Sequence, residues 1–332
     1  MRKGKRKYIE WIIKTVVVLL LMWVLYRQVF ARENIADLQQ TFLDHFHSDN
    51  LYWLLFAILL MPVNWGFETM KWRQLIKSFE DISFWAMYKG ILAGVTFSLF
   101  TPNRIGEYGG RILFVKPENN WKAVIANLVG SFSQLLVLLS MGLLGTVFFS
   151  LSFLKVEPYL LQASIFIGLA GIGLMLFCFF NIDLVIPIVK RIPYSKYLRR
   201  FVKHVIVLRN YRTKDLAFTL FYAFSRYLVY TIQYYLMLRF FAINVPFLTG
   251  TASIATIFLL QTSIPLPPLM GLLARGEVAL FIWQHFSTNE IDILAATFGL
   301  WFLNLIIPAL IGTVFIISIN VLKSLGYENK SD

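Results

Sequence analysis

Phe97 to Pro117 reads FSLFTPNRIGEYGGRILFVKP, and the fold turns on how this stretch is read. An apolar run enters it. Pro102, Arg104, Gly106 and Glu107 follow closely, then Gly109, Gly110 and Arg111. Charged side chains beside hydrophobic segments are expensive in lipid, so they face a protein interior or a wet cavity. Proline and paired glycines work against one continuous helix. Broken backbone at membrane depth is tolerated only where protein buries it or where it lines a cavity. Two readings are open at this point. The stretch is a polar site inside a membrane, or it is a cytoplasmic loop whose arginines obey the positive-inside rule.

Composition settles the class. Of the 332 residues, 58% are hydrophobic and 15% charged, with a mean hydropathy of +0.66. Soluble domains run nearer a quarter charged. The apolar runs are far too long for barrel strands, so the chain is an all-α polytopic membrane protein and a single integral membrane domain over 1–332. The one cysteine, Cys178, excludes an intrachain disulfide and a cysteine-based metal site. The net charge of +13 sits mostly in short segments beside hydrophobic runs. That placement fits loops meeting anionic headgroups and argues against nucleic acid.

Outward from the central stretch, the chain opens with five basic residues in MRKGKRK and an apolar run from Trp11 to Phe30. No small-residue cleavage site follows, so the run reads as an uncleaved first span with a cytoplasmic N-terminus. Arg32 to Asn50 is acid-rich and is expected outside. Leu51 to Thr69 is the second span, and Lys71, Arg73 and Lys77 mark the return to the cytoplasm. Trp121 to Ser150 and Pro158 to Asn181 are further spans. Lys190 to Lys214 holds nine lysines and arginines and no acid, which makes it a cytoplasmic loop. Counting back from that loop, Ser83 to Val115 must enter and leave on one side. It is two full crossings or a re-entrant pair of half-helices, and its Pro and Gly cluster favours the second.

The second half repeats this order. Asp215 to Phe241 is a span carrying Arg226 and Gln233. Thr251 to Phe286 is broken by SIPLPPLMGLLARGE, and Ile291 to Asn320 is the last span, leading to a cytoplasmic C-terminus. The expected architecture is about six full spans and two re-entrant hairpins in an inverted repeat, with units 51–150 and 215–320. Paired interrupted segments of this kind point to a site near the midplane.

Arg104, Glu107 and Arg111 are spaced i, i+3 and i+7, one face of any helix there. Arg275 and Glu277 flank Gly276 in the second tip. Pro102, Gly106, Pro267 and Gly271 would shape the two tips. Surplus arginines suit a phosphate, which they bind through a planar fork. Equally, these charges would neutralise and brace one another. Glu68 and Arg226 are secondary candidates, and Trp72 reads as an interfacial anchor. The four histidines lack ligand spacing, so no metal or cofactor is expected.

TPNRIGEYGGR resembles the signature of the lysylphosphatidylglycerol synthetase transmembrane-region family. IPLPPLMGLLARGE is similar to its second motif, and KWRQLI to its Arg-Trp segment. The resemblance implies a flippase-like domain for phosphate-bearing lipids, here without the soluble aminoacyl transferase domain. Where many members carry charges after the first motif, this chain reads LVGSFSQ, Leu128 to Gln134. The expected function is binding and transbilayer movement of an anionic phospholipid or a polyprenyl or glycolipid phosphate in the inner membrane, without chemistry. Two alternatives stand beside it: a membrane-embedded lipid-modifying enzyme, and a membrane subunit that recruits a soluble glycosyl or aminoacyl transferase. An oligomer is possible on either side of that choice.

Overall fold

The computed structural model describes residues 3–25, 35–46, 49–101, 105–187, 204–263 and 268–319. Among them the regular elements are all helical. In order these are α1 (Lys3–Leu25), α2 (Ile35–Phe46), α3 (Leu51–Ile76), α4 (Phe84–Ser98), α5 (Gly106–Ile112) and α6 (Asn120–Phe153). Then come α7 (Pro158–Phe180), α8 (Thr213–Phe240), α9 (Phe247–Ser263), α10 (Pro268–Trp283), α11 (Glu290–Trp301) and α12 (Ile307–Ser318). A π-helical turn, Phe302–Ile306, joins α11 to α12 without a break in the rod. Pro102 and Pro267, and most of the basic 190–214 loop, lie outside the described residues.

Local chemistry sets the helix ends. The Ser83 hydroxyl accepts from the Ala86 N–H and opens α4. Arg212 and Asp215 exchange backbone and side-chain bonds at the start of α8. Asn289 caps α11 by accepting from the Ile291 and Asp292 N–H groups. Pro158 occupies the first turn of α7, where its missing N–H costs nothing.

Among the described residues four helical stretches are long and apolar enough to cross a membrane: Leu51–Ile76, Pro117–Phe153, Pro158–Phe180 and Glu290–Ser318. The protein is an all-α polytopic membrane protein. The second span corrects the sequence reading, because it continues to Ile76 and carries Lys71 and Arg73 inside the helix. The acid-rich segment expected as an outer loop contains α2, which rests on α11 and sets Phe42 against Phe240 and Phe241. By contrast α4 has 15 residues and α5 only 7, about 22 and 10 Å of helix.

Three helix pairs make the most extensive contacts between the two halves: α3 on α8, α6 on α9, and α4 on α12. Lipid is as apolar as leucine, so these contacts rest on close van der Waals approach. Glycine provides it. A Cβ on Gly145 would meet the Ala252 carbonyl at 2.5 Å, and one on Gly312 would meet the Leu92 carbonyl at 2.1 Å. Beside Gly312 the Thr96 hydroxyl donates to the Ala309 carbonyl at 2.7 Å. Gly312→Ala is therefore expected to destabilise by about 1–3 kcal/mol. Gly171→Ala, on an open face of α7, is the control and leaves the melting temperature unchanged.

Candidate functional site

Glu68 lies on the buried face of α3, two turns before its end. Its carboxylate is 4% exposed and is the hub of a charged cluster between α3, α5, α6 and α8. Oε2 pairs with Lys71 Nζ at 2.7 Å and Arg226 Nη1 at 3.3 Å, and Oε1 pairs with Arg111 Nη2 at 2.8 Å. Arg111 also reaches Glu107 Oε2 at 2.9 Å, one turn earlier on α5, and its Nη1 donates to Asn127 Oδ1 of α6. Lys71 and Arg111 are 2% and 3% exposed, so neither ion is solvated by water.

Backbone packing delivers Arg111 to this place. The short helix α5 lies against α4, with Gly110 so near Gly94 that a Cβ would meet its backbone at 2.4 Å. Gly106 is as tight, with the Phe97 carbonyl 2.1 Å from a built Cβ, and its N–H donates to the Thr101 hydroxyl at 2.7 Å. These glycines let α5 sit deep enough for its arginine to cross to α3. Two tryptophans face the cations. Arg111 lies 5.8 Å from the Trp72 ring centre and Arg226 5.0 Å from that of Trp65.

Among the described ion pairs three cations, Lys71, Arg111 and Arg226, meet two carboxylates, Glu68 and Glu107. Three buried N–H donors around Arg111 have no hydrogen-bond acceptor among the described residues: Arg111 Nε, Asn127 Nδ2 and Trp72 Nε1. Buried donors are nearly always paired, and leaving one open costs about 1–3 kcal/mol. Cations beside open N–H donors are suited to an oxyanion.

The sequence candidates divide on this geometry. Glu107 and Arg111 meet the secondary candidates Glu68 and Arg226 in one cluster. Arg104 lies outside the described residues. Arg275 and Glu277 are on α10, where Glu277 is exposed and Gly276 faces Leu294 and Phe298 of α11. Gly271 opens the same helix. The described ion pairs of the cluster come from α3, α5 and α8, with none from α10.

Lys71, expected at the return to the cytoplasm, is a buried partner of Glu68, one turn along the same helix. Trp72 is 1% exposed and packs under Arg111, so it is no interfacial anchor. Asn127, Gln134 and Trp65 were not singled out as site residues. Asn127 and Gln134 are spaced i and i+7 in an apolar helix, as are Trp65 and Trp72, and that recurrence on one face was the available signal.

Searches among curated proteins and among solved structures gave no match. Residues 11–315 match the family model described as the lysylphosphatidylglycerol synthase TM region, whose members are membrane-embedded and linked to lipid handling. With nearly its whole length matched, the chain belongs to the lysylphosphatidylglycerol synthase transmembrane-region family.

Proposed function

We propose that the protein binds a phosphate-bearing lipid at the Glu68–Arg111 cluster and moves it across the inner membrane without changing its bonds. The observation that carries this reading is the set of N–H donors around Arg111 that are open among the described residues, in a cluster whose described ion pairs hold three cations and two carboxylates. Arg111, Lys71, Arg226 and Asn127 are the headgroup residues of this reading. Glu68 and Glu107 hold them in place and keep the empty site near neutrality. Arg104, and Arg275 and Glu277 on α10, are further headgroup residues of this reading.

The architecture supports movement. Helices α4 and α5 are too short for a hydrocarbon layer of about 30 Å, which favours a re-entrant hairpin, and α9 with α10 forms its counterpart. The inter-half contacts also fit an inverted repeat. Each unit's last span packs on the other unit's hairpin, α6 on α9 and α12 on α4, while the two first spans pack on each other. Such pseudo-symmetry allows one half to rock against the other around a fixed site.

Reconstitution tests the function. Proteoliposomes should move fluorescent phosphatidylglycerol between leaflets faster than protein-free vesicles and leave a neutral-headgroup analogue behind. Equal rates for both lipids would remove the phosphate from the proposal. The sidedness has its own test. With Cys178 replaced by serine, Lys214→Cys should react with an impermeant maleimide only after the cells are opened. Labelling in intact cells would reverse the topology.

A further inference from the structure

An apolar groove of about 370 Å³ runs between α6, α7 and α8. Val137 and Met141 of α6, Leu176 and Phe180 of α7, and Leu220 and Phe224 of α8 line it. Its one hydroxyl, on Ser140, already donates to the Leu136 carbonyl at 2.8 Å, so the wall offers no open donor. Helix α7 forms the outer edge and is itself almost entirely exposed, with only 6% of its apolar window buried.

The groove lies beside the charged cluster, with Gln134 between the two. Gln134 shares a face of α6 with Val137 and Met141. Its side chain touches Lys71 Nζ at 3.4 Å and Arg226 Nη1 at 3.5 Å, and donates to the Ala223 carbonyl at 3.4 Å. All three contacts are long, so this amide is a weak partition between the cations and the groove. The groove's α6 residues follow Gln134 in the chain, whereas its α8 residues precede Arg226. The groove therefore straddles the depth of the cluster.

We propose that this groove takes one hydrocarbon chain of the lipid whose phosphate sits on the cluster, with Gln134 as the latch between the two. The inference rests on the headgroup reading above and adds the place of the tail. A headgroup held at this depth must leave its chains in the bilayer to one side. The groove is an apolar surface beside the cations at that level, separated from them by Gln134 and without charge along its walls. Full affinity for the lipid then draws on headgroup and tail together, and Gln134 must swing aside for the bond between them to pass.

The test uses purified protein in detergent and two probes, dioleoylphosphatidylglycerol and glycerol phosphate. Ser140→Trp and, separately, Leu220→Trp fill the groove from two walls. Each should weaken dioleoylphosphatidylglycerol binding at least tenfold and leave glycerol phosphate binding as in the wild type. Unchanged affinity for the long-chain lipid in both folded variants would overturn the groove. Loss of glycerol phosphate binding in the wild type would instead count against the headgroup site. A phosphatidylglycerol with a diazirine in its oleoyl chain reads the groove independently of those variants. In the wild-type protein it should label the Leu176–Phe180 and Leu220–Phe224 segments above the rest of α7. Label spread evenly along α7, over Phe166 and Leu169 as well, would mean ordinary boundary lipid and would overturn the proposal.

Discussion

Replacing Glu68 with alanine should lower the unfolding free energy by about 3–5 kcal/mol, the usual cost of removing one partner from a buried ionic network. The size follows from what is left behind. Lys71, Arg111 and Arg226 would share a buried site with Glu107 as the remaining carboxylate, and three cations would repel one another where water cannot screen them. Adding Lys71→Met to Glu68→Ala removes one of the stranded charges and should recover a good part of the loss. The measurement is thermal unfolding followed by size-exclusion chromatography of the detergent-solubilised protein. A loss under about 1 kcal/mol for the single variant would show that Glu68 is not the hub.

Arg111→Lys should have the opposite profile, a small effect on stability and a large one on transport. Lysine keeps the charge near Glu68, so a cost of about 1 kcal/mol is expected. It loses the planar fork that reaches Glu68, Glu107 and Asn127 at once, and it loses Nε, an open donor of the site. Headgroup-dependent translocation should fall at least tenfold. Removing both Arg111 and Glu107 by alanine separates bracing from binding. The pair is balanced in charge, so stability should recover relative to Arg111→Ala alone while translocation stays lost. If the double variant transports at the wild-type rate, α5 is scaffolding and the anion site lies elsewhere.

The membrane class and the broken central stretch were legible because hydropathy and proline–glycine patterns act locally. Arg111 was legible as a site residue for the same reason, since a charge between apolar runs has few places to go. Its partner was harder to read. Glu107 is near Arg111 in sequence, but Glu68 is 43 residues away and reaches it only because Gly94 and Gly110 let α4 and α5 nearly touch. Lys71 did not read as a site residue for a physical reason: a lysine at the end of an apolar run usually marks the water interface, and here it is buried against Glu68. The polar residues of α6 were obscured by an overall hydropathy high enough to hide two amides. A long-range cluster of this kind depends on which helix faces meet, and a single sequence gives the faces without saying which of them pair.

The π-helical turn Phe302–Ile306 has a consequence for phase. A turn bonded five residues back holds one residue more than its α-helical neighbours. It thus offsets the faces of α11 and α12 by the arc of a single residue, about 100°. The two half-helices use that offset differently. Before the turn, Thr297 meets Tyr234 of α8 at 2.8 Å; after it, Ala309 and Gly312 close on α4. Within the turn, Asn304 accepts from Asn64 of α3 at 2.8 Å. Deleting one residue here would leave the hydropathy profile unchanged and the rod helical. It would also turn one end out of step with the other, so that the last span could dock on α8 or on α4 but not on both.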